Sequence, residues 1–155
     1  MAGKLCEELA VVGTVDPVVL ADAALFTDYI DMSKFEQILG ILMLGDVAAK
    51  TFDFDVYAYT DTSAGNATLV KAATQLAAHA TNNDGKQVAI NVTRQDVLAK
   101  ETSTTLAAGG LRYIRFRAVS EAAQDGPVGL VALAGKANYD PANANDLASV
   151  AEIVD

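Results

Sequence analysis

Hydrophobic and polar positions alternate most regularly from Leu111 to Val119, L-R-Y-I-R-F-R-A-V. Side chains of a strand point alternately to its two faces, so Ile114, Phe116 and Ala118 share one face and Tyr113, Arg115 and Arg117 the other. Burying Ile114 and Phe116 contributes roughly 1.5–3 kcal/mol each. It also pins the register, because a one-residue slip would bury Arg115 and Arg117. Arg112 opens the apolar row, where a strand end lets its guanidinium reach water. The segment Thr51–Asp61, T-F-D-F-D-V-Y-A-Y-T-D, repeats the pattern. Phe52, Phe54, Val56 and Ala58 form its inward row, and Asp53, Asp55, Tyr57 and Tyr59 its outward row. If the two strands are neighbours, Asp53 and Asp55 face Arg115 and Arg117, each exposed pair adding about 0–1 kcal/mol.

Around these two strands the chain divides into shorter signals. Residues 1–25 mix short apolar runs with Gly13, Asp16 and Pro17; Pro17 lacks a ladder donor, which suits an extended arm or an edge strand. The continuous run Ile38–Leu44, stopped by Gly45 and Asp46, reads as a strand covered on both faces. Asp61–Asn66 is a turn, without the spacing or terminal glutamate of a calcium loop. Ala67–Ala80 is alanine-rich, with Leu69, Ala72, Ala73, Leu76 and Ala80 at helical spacing and Asn66 as a ready N-cap, and predicts a helical insert. His79 lies near its end, where a cation suits a helix C-terminus. The N-N-D-G turn at 82–85 leads to a strand with Val88, Ile90 and Val92 inward. One helical turn is expected at Gln95–Ala99, followed by the threonine-rich 102–105 and the Gly109-Gly110 pair. After the Q-D-G-P turn at 124–127, G-L-V-A-L-A-G predicts a buried strand. Pro141 breaks the chain, and a short helix from Asp146 would place Leu147, Val150 and Val154 on one side with Asn145 as cap. The expected fold is mainly β, an antiparallel β-sandwich over 26–140 with a short helical insert, an N-terminal arm over 1–25 and a C-terminal tail over 141–155.

Composition narrows what such a fold does. The chain has 155 residues, enough for one substantial core, and 52% hydrophobic residues against 20% charged excludes general disorder. Net charge is −9, and residues 1–62 carry eleven acids against Lys4, Lys34 and Lys50. That field repels phosphate backbones, which argues against nucleic acid as a direct partner. Cys6 is the single cysteine, so no intrachain disulfide forms, and Glu7 and Glu8 beside it disfavour a thiolate. A reducing compartment at synthesis fits. The longest apolar run falls far short of the about 20 residues of a membrane helix, and no signal segment opens the chain. None of the hydrolase, dinucleotide, P-loop or zinc-protease motifs occurs. The reading is therefore non-enzymatic, without metal or cofactor, and places interest on the outward Tyr57, Tyr59 and Tyr113. These suit a carbohydrate or protein partner, although strand propensity alone also favours tyrosine.

The ordered set F-T-D-Y-I-D-M-S-K-F-E-Q-I-L, F-D-F-D-V-Y-A-Y, N-D-G-K-Q-V-A-I-N-V, G-G-L-R-Y-I-R-F-R-A-V and G-L-V-A-L-A-G-K-A-N-Y-D-P-A resembles the small head decoration, or cement, proteins of tailed bacteriophages. The resemblance covers about Phe26 to Val154. It implies a jelly-roll-like sandwich, a homotrimer, and a partner in the major capsid protein on the outer surface of the head, reached after synthesis in the host cytoplasm. On that implication the N-terminal arm makes capsid or intersubunit contacts through Leu5, Leu9, Val11, Val12 and Pro17, with Tyr113, Arg115 and Arg117 as a second set. A phage tail tube or other tail protein and a carbohydrate-binding β-sandwich module are the alternatives.

Overall fold

Alternating rows of the kind just described need a second sheet to cover them, and the computed structural model supplies it. It describes residues 8–19, 24–46, 51–63, 65–76, 84–120 and 127–138. The strands are β1 (Leu9–Val19), β2 (Ala24–Phe26), β3 (Ile30–Asp31), β4 (Phe35–Leu44), β5 (Phe52–Tyr59), β6 (Thr68–Ala72), β7 (Gln87–Thr93), β8 (Tyr113–Ser120) and β9 (Pro127–Ala137). The first sheet has the order β1-β9-β4-β7; the second runs β2-β8-β5-β6, with β3 also on β8. Every pairing is antiparallel. Because β2 and β3 lie along the same edge of β8, they act as one interrupted strand. The chain then passes between two four-stranded layers in the order of an eight-stranded jelly roll.

The inward rows are those the alternation predicts. Ile114, Phe116 and Ala118 of β8 and Phe52, Phe54, Val56 and Ala58 of β5 are all buried, facing Ile38 and Leu42 of β4 and Leu130, Ala132 and Ala134 of β9. The layers approach closely at Gly40 on β4, where a Cβ would lie 2.3 Å from a ring carbon of Phe116. Only a residue without a side chain fits there. Phe116 in turn stacks on Phe54, with centroids 5.8 Å apart.

Several expectations change. Of the two readings of residues 1–25, the edge strand holds for 9–19, which form β1 at the edge of the first sheet; the sandwich therefore reaches back to Leu9, and Val12 belongs to the core and not to a contact surface. In the segment expected to be a helix over 67–80, residues 68–72 are β6, paired with β5, and Leu76 bridges Phe52. Alanine-rich composition favours a helix only weakly, and the open edge of β5, with Val70 buried against the core, outweighs it. Residues 77–80, His79 among them, lie outside the described residues, as do the expected C-terminal helix, Leu5 and Cys6. Ile38–Leu44 is a strand, but its outward row is only partly covered: Leu39 and Ile41 are half-buried and Met43 is 38% exposed. The helical turn expected at Gln95–Ala99 is present as a short helix, α1 (Arg94–Leu98), started by a capping box between Thr93 and Asp96. A second short helix, α2 (Ser103–Ala107), uses Thr102 and Thr105 in the same way. None of the helices among the described residues is long and apolar enough to cross a membrane.

Candidate interaction surfaces

Two outward sheet faces remain once the core is accounted for, and they differ in chemistry. On the first sheet, Leu39 of β4 stands opposite Leu133 of β9, which stands opposite Val11 of β1; Ile41 stands opposite Val131, and that opposite Thr14. These side chains are half-buried and belong to the outward rows, not to the core between the sheets. Antiparallel sheets normally place polar residues on a solvated face. Here the two central strands carry aliphatic residues instead. The end of β1 adds Val18 and Val19, 41% and 48% exposed.

The second sheet presents arginine and tyrosine. Asp55 stands opposite Arg117 and Tyr57 opposite Arg115 across the β5–β8 ladder. The expected pairing of acids with arginines therefore holds for Asp55 and Arg117 alone. Arg117 donates from Nε to Asp55 Oδ2 at 3.1 Å, and its Nη2 forms an ion pair with the same oxygen. Its guanidinium lies 4.8 Å from the centroid of Tyr57. Asp53 instead accepts from Gln75 Nε2 at 2.8 Å. At the other end of β8, Arg112 donates from Nε and Nη2 to the two carboxylate oxygens of Asp31, at 3.0 and 2.6 Å, and lies 5.2 Å from the Tyr113 ring. These bonds, with help from Ser33, hold the Asp31 carboxyl at about 2.

Arg115 lies between those two pairs and is held differently. Its Nε donates to the Thr27 carbonyl at 2.7 Å, and its guanidinium carbon lies 4.6 Å from the ring centroids of both Phe26 and Tyr29. The cause is local. Phe26 stands opposite Arg117 and Ile30 opposite Ile114, so the edge advances one residue further than β8 over the same stretch, a bulge between β2 and β3. A bulge re-aims side chains and relaxes strict alternation, and this one turns Thr27 inward while both aromatic rings reach Arg115. Thr27 repairs the interrupted ladder: its N–H donates to the Phe116 carbonyl at 3.1 Å, and its hydroxyl accepts the Phe116 N–H at 3.1 Å. Tyr29 meets Tyr59 edge to face at 5.2 Å, and burial pushes the Tyr59 phenol up.

The residues singled out from sequence therefore separate. Tyr113, Arg115 and Arg117 share one face, Leu9 and Val11 lie on the outward side of the opposite sheet, Pro17 is exposed at the end of β1, and Val12 is internal. The tyrosines Tyr57 and Tyr113 are engaged by arginines of their own sheet and Tyr59 is buried, so they are not bare stacking platforms for a sugar ring. Sequence reasoning passed over Phe26, Thr27 and Tyr29 as parts of the site. The signal was present in F-T-D-Y: aromatic residues three apart share a strand face only if an extra residue intervenes.

No family model matches the chain, and no curated protein matches it. Among solved structures, a chain from Bacillus endospore appendages, a family of disulfide-linked pili, is similar over 87% of this chain and 96% of its own, at 12% identity and a TM-score of 0.42. A chain of the infectious bursal disease virus Gx strain is similar over 86% of this chain, which spans 30% of that longer one, at 14% identity and a TM-score of 0.37. The fold assignment rests on strand order and not on these likenesses.

Proposed function

We propose that the protein is a structural component of a bacteriophage virion, a decoration protein that binds the outside of the major capsid protein shell as a homotrimer and stabilises the DNA-filled head. A jelly roll alone does not carry this reading, since one fold serves many functions. The observation that carries it is the aliphatic outward row of the β1-β9-β4-β7 sheet, centred on Val11, Leu133 and Leu39. Completing the burial of such half-covered side chains contributes roughly 1 kcal/mol each. An array of them on a rigid sheet suits a permanent protein contact better than a small ligand, which needs a concave site. The net charge of −9 directs the contact toward protein and away from packaged DNA.

Docking and folding have to be separated in the test. Deleting residues 2–20 would remove β1 itself, so a point substitution on the outward row is the cleaner probe. Leu39→Glu places a charge at the centre of that row without entering the core. The variant is expected to keep its β-sheet circular dichroism while failing to rebind heads stripped of the protein. Full occupancy of heads by Leu39→Glu would remove this face from the account.

A further inference from the structure

The chain pairs its outward arginines with its own acids at both ends of β8, Arg112 with Asp31 and Arg117 with Asp55. Arg115 is the exception. Among the described residues it has no carboxylate within ion-pair distance, and only its Nε has an acceptor, the Thr27 carbonyl. The two terminal nitrogens of its guanidinium thus have no acceptor among the described residues, while Phe26 and Tyr29 and the Thr27 bond hold the group in place. A guanidinium fixed in this way has already lost most of the side-chain freedom that binding would otherwise cost. Arginine and tyrosine, with an exposed phenylalanine, are also the side chains enriched at protein contacts; Phe26 is 37% exposed.

The same bulge carries the opposite charge. Asp28 is exposed, one residue from Thr27 and one from Tyr29, and has no ion pair among the described residues. Asp28 thus follows the residue whose carbonyl binds Arg115, and the two charges make no ion pair with each other or with any other described residue; one cation and one anion on the same bulge can be exchanged between two copies under a two-fold rotation. In an isologous contact a residue of one copy meets its counterpart reciprocally. We infer that the β2–β3 bulge is a two-fold contact between copies of this chain, with the Arg115 guanidinium of each copy binding the Asp28 carboxylate of the other. This goes beyond the decoration reading: the contact lies on the sheet opposite the aliphatic row and does not depend on what that row binds. The net charge of −9 on each copy opposes association only weakly at physiological salt, where charges more than about 8 Å apart are largely screened. The contact pairs, formed at hydrogen-bond distance, are screened much less.

Sedimentation velocity of the full chain over a concentration series tests the inference. Wild type is expected to show a reversible pairing step, of monomers or of preformed oligomers. Asp28→Asn and Arg115→Gln should each weaken that step about tenfold or more, each removing both symmetric pairs. Asp28 has no described partner, so its variant probes the contact without disturbing the fold. The reciprocal exchange, Asp28→Arg together with Arg115→Glu, should restore pairing that each exchange alone abolishes. Absence of any pairing step in wild type, or pairing that Asp28→Asn leaves unchanged, would overturn the inference.

Discussion

Replacing Gly40 by alanine would set a methyl carbon 2.3, 2.4 and 2.8 Å from three ring carbons of Phe116, more than 0.5 Å inside the optimal carbon separation of about 3.5–4.0 Å. The ring has little room to retreat. Phe116 is fully buried and stacked on Phe54, and its own N–H is held by the Thr27 hydroxyl. Overpacking of this kind costs about 1–3 kcal/mol. Against it, removing a glycine restrains the unfolded chain and stabilises by about 0.4–1 kcal/mol. The steric term is larger, and the expected net loss is about 1–2 kcal/mol. With a urea m-value of about 2 kcal/mol/M, the unfolding midpoint should fall by roughly 0.5–1 M. A second substitution tests the cause. Phe116→Leu alone should destabilise through lost packing, but combined with Gly40→Ala it opens the space that the new methyl needs. The double variant should then be more stable than the sum of the single losses predicts, by about 0.5–3 kcal/mol. An unchanged midpoint for Gly40→Ala, or simple additivity in the cycle, would refute the close approach of the sheets at Gly40.

Thr27→Val keeps the shape of a buried side chain but removes the acceptor for the Phe116 N–H, and should lower stability by about 1–3 kcal/mol in the same urea assay. Arg117→Ala leaves Asp55, only 7% exposed, with its carboxylate unpaired; a loss of about 2–3 kcal/mol is expected, and Asp55→Asn in the same background should recover part of it. Asp31 and Asp96 are each held at about 2, below their ordinary 3.8, chiefly by hydrogen bonds to Arg112 and Lys71 respectively. A carboxyl lowered in the folded state contributes stability above its unfolded value and loses that contribution as pH falls through the folded one. Stability should therefore decline between about pH 4 and pH 2, and Asp31→Asn and Asp96→Asn should each flatten that decline. Because Arg112 and Lys71 are 52% and 39% exposed, each contribution is about 1 kcal/mol or less. Equal acid sensitivity in wild type and both variants would contradict the pairing.

The elements legible in the sequence were those in which local pattern and tertiary packing agree. In β5 and β8 the alternation alone gives the inward rows, and the chemistry of the outward rows brings Asp55 opposite Arg117. Segments where the two disagree were misread. Alanine and leucine at 67–80 suit a helix, yet the unpaired edge of β5 draws residues 68–72 into β6, because intrinsic propensity is smaller than the gain from completing a sheet. The aliphatic run of β4 looked like a strand covered on both faces, since sequence shows that Leu39 and Ile41 are apolar but not that only one layer lies against them. The Arg115 environment depends on a one-residue slip between β2 and β3. A bulge leaves a period-2 pattern almost intact on either side, so only the spacing of Phe26 and Tyr29 could have pointed to it.

The decoration reading is tested most directly by stoichiometry. Heads and tails separated from purified particles carrying this protein would be quantified for its copies relative to the major capsid protein. The account predicts near-equal abundance in heads, loss on stripping, and rebinding to mature but not to immature shells. Recovery in the tail fraction, or absence from both fractions, would contradict it.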